Sequence, residues 1–135
     1  MERHVADAAA MVALGEEIAA GLAGGEVLAL VGGLGAGKTH FTKGLASGLG
    51  CGAEATSPTF ALLHEYPGGR LPLVHLDFYR LESEDELLAI GWDELLDQGG
   101  VVVAEWADRF PDLMPPETRW LRIEPAESGG RKVSG

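Results

Sequence analysis

The stretch Val27-Leu28-Ala29-Leu30-Val31-Gly32-Gly33-Leu34-Gly35-Ala36-Gly37-Lys38-Thr39-His40 decides how the rest of the chain is read. Val27 to Val31 form an unbroken apolar run, the pattern of a buried strand. Gly32 to Thr39 then match G-x-x-x-x-G-K-[ST] at every fixed position. Beyond them, Phe41, Leu45, Ala46 and Leu49 recur at helical spacing. Strand, glycine-rich loop and helix therefore follow in the order that a phosphate cradle requires. Backbone N–H groups can close on an anion only where side chains do not intrude, which is why glycine is wanted. The helix after the loop points free N–H groups and partial positive charge at the same place. The pattern predicts Lys38 on the β- and γ-phosphates of a nucleotide and the Thr39 hydroxyl on Mg²⁺. The bland alternative is a chance turn in a chain with 20 glycines, and the flanking strand and helix weigh against it.

Composition narrows the rest. A chain of 135 residues is the size of one domain with a real core. No apolar run approaches the length of a membrane span. Met1-Glu2-Arg3-His4 reads as the opening of an acidic, Ala-rich helix and not as a secretory signal. A single cysteine, Cys51, excludes an internal disulfide and reads as a small core residue. The expected location is cytoplasmic. A net charge of −11, with Lys38, Lys43 and Lys132 as the only lysines, argues against autonomous binding to nucleic acid. The acidity suits either plain solubility or docking on a basic protein surface.

Met11, Leu14, Ile18 and Leu22 mark an amphipathic helix that stops near Gly24-Gly25. Phe60–Tyr66 and Pro72–Tyr79 read as strands of a hairpin around Pro67-Gly68-Gly69-Arg70. Val74, Leu76 and Phe78 would share one face of the second strand, and Leu73, His75, Asp77 and Tyr79 the other. Ser83 and Glu86 form a capping box for a helix through Ile90, and Trp92 to Leu96 continue as a short helix. Val101 to Ala104 form a fully apolar strand, and Trp120 to Glu124 alternate like an edge strand. Residues 1–125 are expected to form the domain, and residues 126–135 a disordered tail. The predicted class is α/β, a single domain with a mixed parallel and antiparallel sheet flanked by helices.

Three residues outside the loop are candidates for chemistry. Glu105 follows an apolar strand and should emerge at its carboxyl end, where ligands bind in open α/β sheets. It reads as a metal- or water-facing acid, against a loop glutamate on the surface. Asp77 sits in an apolar strand and needs either a job or a partner, the latter being a backbone turn or Arg80. His75, on the same face, reads as support for it. Thr59 in the loop Thr56-Ser57-Pro58-Thr59-Phe60 is open between a γ-phosphate switch and ordinary turn bonding. Trp106 reads as a core aromatic, an adenine platform or a partner anchor, and its place beside Glu105 favours the second and third.

Together, Gly-x-Leu-Gly-Ala-Gly-Lys-Thr at 32–39, Ser57-Pro58-Thr59-Phe60, His75-Leu76-Asp77-Phe78-Tyr79-Arg80-Leu81 and Glu105-Trp106-Ala107-Asp108-Arg109 form an ordered set. In this set the chain resembles the TsaE (YjeE) family of small bacterial P-loop ATPases. The likeness runs from about Leu14 to Ile123. That family is required for N6-threonylcarbamoyladenosine in tRNAs that read codons beginning with A. The resemblance implies a P-loop fold, ATP and Mg²⁺ as cofactors, and TsaD and TsaB as protein partners, with tRNA contacted only through them. It also implies that Gly33, Leu34, Gly35, Ala36, Gly37, Lys38, Thr39 and His40 bind nucleotide. Asp77, Glu105 and Thr59 become the catalytic set, Thr39 and Glu105 the metal-associated groups, and Trp106 part of the same cluster. The ATP cycle is thought to reset the TsaD–TsaB pair, which transfers the threonylcarbamoyl group from the adenylate made by TsaC. Three positions depart from the family pattern: Gly33 stands for the usual Asp, His40 for the usual Thr, and Met11 for a frequent Thr.

Other readings compete. A small-molecule kinase needs an arginine-bearing lid, and the segment between the hairpin and Glu105 is acidic instead. A GTP switch would carry Asn-Lys-x-Asp, which is absent. A nucleotide-gated binding module uses the same pocket as an ATPase and is not separable from one by sequence.

Overall fold

The computed structural model describes residues 1–32, 37–52, 55–56 and 63–135, with the side chains of 55 and 56 left aside. Its centre is a sheet of eight strands among the described residues, in the order β1-β8-β7-β2-β6-β5-β4-β3. In chain order these are β1 (Glu2–Val5), β2 (Val27–Val31), β3 (Ala55–Thr56), β4 (Leu63–Tyr66), β5 (Leu73–Asp77), β6 (Val101–Glu105), β7 (Arg119–Pro125) and β8 (Arg131–Ser134). The helices are α1 (Ala8–Ala19), α2 (Lys38–Leu49), α3 (Glu84–Ile90) and α4 (Trp92–Leu96). The middle strands β7, β2, β6 and β5 run parallel, and the outer strands pair antiparallel. This is the mixed α/β sheet that the sequence predicts.

Side-chain alternation divides the interior into two apolar layers. Leu28, Leu30, Leu73, Val101, Val103, Leu121 and Ile123 meet α1 and α2 on one side. Val27, Ala29, Val74, Leu76, Val102 and Ala104 meet Phe78, Leu87, Trp92 and Phe110 on the other. Strands β2 and β6 are buried along their whole length, as parallel strands covered on both faces must be.

Helix α1 begins at Asp7, whose Oδ1 accepts a hydrogen bond from the Ala10 N–H at 2.8 Å. It crosses α2 at backbone contact. A Cβ built on Gly44 would lie 2.1 Å from the Val12 carbonyl oxygen, and one on Gly15 would lie 2.4 Å from the Phe41 carbonyl oxygen. Glycine is required there by proximity. Ser83 Oγ accepts from the Glu86 N–H at 3.3 Å and starts α3, as the capping pattern predicts. Cys51 is partly buried against the α1–α2 layer, as expected.

Four local expectations change. Residues 126–135, expected as a disordered tail, hold β8. It lies between β1 and β7 and buries Val133 completely. Gly129 and Gly130, at φ +92° and +71°, turn the chain so that the Ala126 N–H reaches the Gly130 carbonyl at 3.1 Å. Glu2–Val5 is a strand and not a helix opening, because Val5 fills the same apolar layer while β8 supplies its ladder. Strand β7 is interior, paired to β2 and β8, and its exposed alternate residues reflect a face without a helix over it. The strand expected through Tyr79 ends at Asp77, where a 3₁₀ turn over Phe78–Arg80 begins. Residues 60–62 of the expected hairpin lie outside the described residues, and its remainder forms as β4 and β5.

Candidate active site

Three parallel strands deliver the polar residues to one place. The α2 helix starts at Lys38, just beyond the carboxyl end of β2, with Gly37 as its cap at φ +103°. In β5 and β6, Asp77 and Glu105 are register partners and both end their strands. Both share a sheet face with Leu73, Val101 and Val103, the face under α2.

Lys38 is 5% exposed. Its Nζ donates to the Gly32 carbonyl at 2.9 Å and stands 4.5 Å from the centre of the Trp106 ring. Burial pushes its ammonium below the usual lysine range, and the carboxylates of Glu105, Asp77 and Asp108 act against that shift. The sequence singles out the first two acids. Asp108 carries no individual signal beyond its place three residues after Glu105, in the 3₁₀ turn Ala107–Arg109.

Glu105 is buried, and its Oε2 pairs with Nε2 of His75. His75 is thus bonded to Glu105, where the sequence groups it with Asp77. Asp77 is half-buried, and its Oδ1 accepts from the Tyr79 N–H at 2.9 Å, capping the 3₁₀ turn. The backbone-turn alternative is therefore realised at Asp77 together with its field on Lys38. Arg80 is exposed and makes no ion pair with Asp77 among the described residues. Arg109 donates to the backbone carbonyls of Phe78 and Tyr79, which ties the two acid-bearing turns together.

Trp106 is the one described non-glycine residue with positive φ, at 60°. The sharp turn takes the chain out of β6 directly after Glu105. The indole then lies against the Tyr79 ring, 5.0 Å between centres, and under Lys38. No sequence signal marks an aromatic residue for the left-handed region.

Thr39 and His40 lie in the first turn of α2 and are exposed. Gly33, Leu34, Gly35 and Ala36 fall outside the described residues, as does Thr59. Among the described residues no group of three or more His, Cys, Asp and Glu side chains could hold a metal ion. A cavity of about 230 Å³ opens beside Gly37 and His40, with Val5, Asp7, Met11 and Arg131 in its walls.

The sequence model of the family described as "Threonylcarbamoyl adenosine biosynthesis protein TsaE" matches residues 5–133. The chain belongs to the TsaE family. It is 46% identical over 110 residues to the tRNA threonylcarbamoyladenosine biosynthesis protein TsaE of Bacillus subtilis, covering 82% of this chain and 68% of the relative. Identity to the TsaE of Treponema pallidum is 44% over 110 residues, covering 82% and 81%. The crystal structure of Bacillus subtilis YdiB superposes with a TM-score of 0.81 at 35% identity, covering 98% of this chain and 82% of that one. The resemblance seen in the motifs thus holds across residues 5–133 of this chain, and the shared architecture is that of a P-loop nucleotide-binding protein.

Proposed function

We propose that this TsaE protein binds and hydrolyses MgATP within tRNA threonylcarbamoyladenosine biosynthesis, and that its cycle resets the TsaD–TsaB complex. The observation that carries the reading is the buried Lys38 ammonium. It sits at the start of α2, within the Gly32–Thr39 motif, with Glu105, Asp77 and Asp108 around it. A buried lysine that donates to the Gly32 carbonyl and lies against an aromatic face is poised to exchange those contacts for phosphate oxygens. Thr39 would ligate Mg²⁺ and Glu105 would serve the metal shell or the attacking water. Bound Mg²⁺ would supply charge neutralisation across the phosphates. The cleft beside Gly37 and His40 suits the nucleoside end, with Val5 and Met11 as apolar walls.

Hydrolysis by the isolated chain should be slow. Every Lys and Arg lies in the described residues, and Arg109, the arginine nearest in sequence to Glu105, is engaged by backbone carbonyls. A transition-state cation is therefore expected from the exposed Arg80 or from the TsaD–TsaB side. The exposed Tyr79 ring against Trp106 favours a second reading, a nucleotide-gated docking module. Phosphate release with and without TsaD–TsaB, paired with pull-downs in ATP, ADP or no nucleotide, separates the two. A Lys38→Ala chain that still bound and hydrolysed ATP like the parent would remove the proposal. A Glu105→Ala chain that assembled normally, with a parent that showed no turnover even in the complex, would leave the docking module.

We place the protein in the cytoplasm on the same reading. No described helix is long and apolar enough to cross a membrane.

A further inference from the structure

We infer that His75 is a positioning residue that aims the Glu105 carboxylate, acting on hydrolysis and not on nucleotide affinity; the inference rests on the ATPase reading above. Strand register builds the arrangement. In the sheet β4, β5 and β6 are neighbours. His64 lies opposite His75, His75 opposite Val103, and Asp77 opposite Glu105. The imidazole reaches forward along its strand face, and Nε2 meets Glu105 Oε2. An ionised carboxylate only accepts, so Nε2 carries the proton and donates.

Both partners are shut away from water, at 8% and 7% exposure. With one oxygen held by the imidazole, the other oxygen of Glu105 is aimed by the same bond. The ring is braced on its far side by His64, 5.7 Å away between centres and tilted by 31°. A histidine that merely filled the core would be satisfied by a backbone carbonyl. This one spends its donor on the acid whose field reaches Lys38. Hydrogen-bond partners of this kind set the orientation of reacting or ligating groups.

The test compares the full parent chain with His75→Ala, His75→Asn, His75→Gln and Glu105→Ala. Phosphate release with TsaD–TsaB present gives kcat and KM for MgATP, calorimetry on the chain gives ATP affinity, and thermal melting checks folding. A glutamine amide nitrogen reaches the position of Nε2, while an asparagine amide falls short of it. The Ala and Asn variants should lose about tenfold in kcat, with KM and affinity within about twofold, and Gln should recover most of the loss. A second readout needs no turnover: long-range ¹H–¹⁵N spectra should show His75 with its proton on Nε2. If the Ala variant fails to fold, the Gln and Asn pair and the spectra decide. Parental kcat in the Ala variant, a folded Gln variant no better than Asn, or a proton on Nδ1 overturns the inference and leaves the ATPase reading intact. A parent chain that neither binds nor hydrolyses ATP overturns both.

Discussion

The two faces of the sheet solve different problems. On the α1–α2 side lie the buried polar and charged side chains found among the described residues: Lys38, Thr42, His75 and Glu105. On the α3–α4 side the layer is apolar throughout, with Phe78 edge-on to Trp92 at 5.6 Å and in contact with Phe110. Burying charge is costly unless it is paired. The chain places an apolar anchor shortly after each of the two strand-ending acids. Phe78 follows Asp77 and is fully buried, and Ala107 and Phe110 follow Glu105 and Trp106. Each acid-bearing turn is thus held from behind by carbon and aimed in front by hydrogen bonds.

If this division is real, substitutions on the two faces should separate stability from function. Phe78→Ala should destabilise the fold by about 3–5 kcal/mol, while ATP affinity, measured at low temperature where the chain is still folded, stays within a few-fold of the parent. A melting curve like the parent's would break the comparison outright. Lys38→Ala should do the reverse. ATP binding should weaken by about 100-fold, roughly 2.7 kcal/mol, with no drop in the thermal midpoint. Calorimetry and melting on the same sample check both halves.

Gly44→Ala sharpens the picture of the polar face, whose own stability rests on backbone contact between α1 and α2. The added methyl meets the Val12 carbonyl oxygen and should cost about 1–3 kcal/mol by denaturant unfolding. Smallest is a pH effect. The lowered Lys38 pKa means that, between its folded value and the ordinary 10.5, the unfolded chain binds more protons than the folded one. Lys38 should therefore make stability rise with pH across that window, and Lys38→Met should flatten the rise in unfolding curves taken above neutral pH.

The elements of the centre were legible because their signals are long or redundant. β2 and β6 carry apolar runs of five and four residues, α2 follows a motif, and Ser83 with Glu86 marks a helix start. The β1–β8 wing was not legible. Each of those strands has four residues and contributes a single buried valine, so neither period nor composition rises above the surrounding Arg, Lys, Ser and Gly. At the site, residue types and strand ends were readable for Lys38, Asp77 and Glu105. The His75–Glu105 bond was not, because it links positions 30 apart and exists only through the register of β5 on β6. Asp108 and the left-handed turn at Trp106 depend on a 3₁₀ path after β6 that local sequence does not announce.

The glycines between α1 and α2 have a mechanical consequence. A seam of backbone against backbone has no rotamers with which to absorb a displacement, so the two helices should travel as one stiff plate. Met11 rides on that plate, with its Cε only 3.1 Å from where a Cβ on Gly37 would stand. Any tilt that phosphate imposes on α2 would then be delivered undiminished to the wall that Met11 forms, and spin labels on the outer sides of the two helices should keep a constant separation while the pair shifts against the sheet.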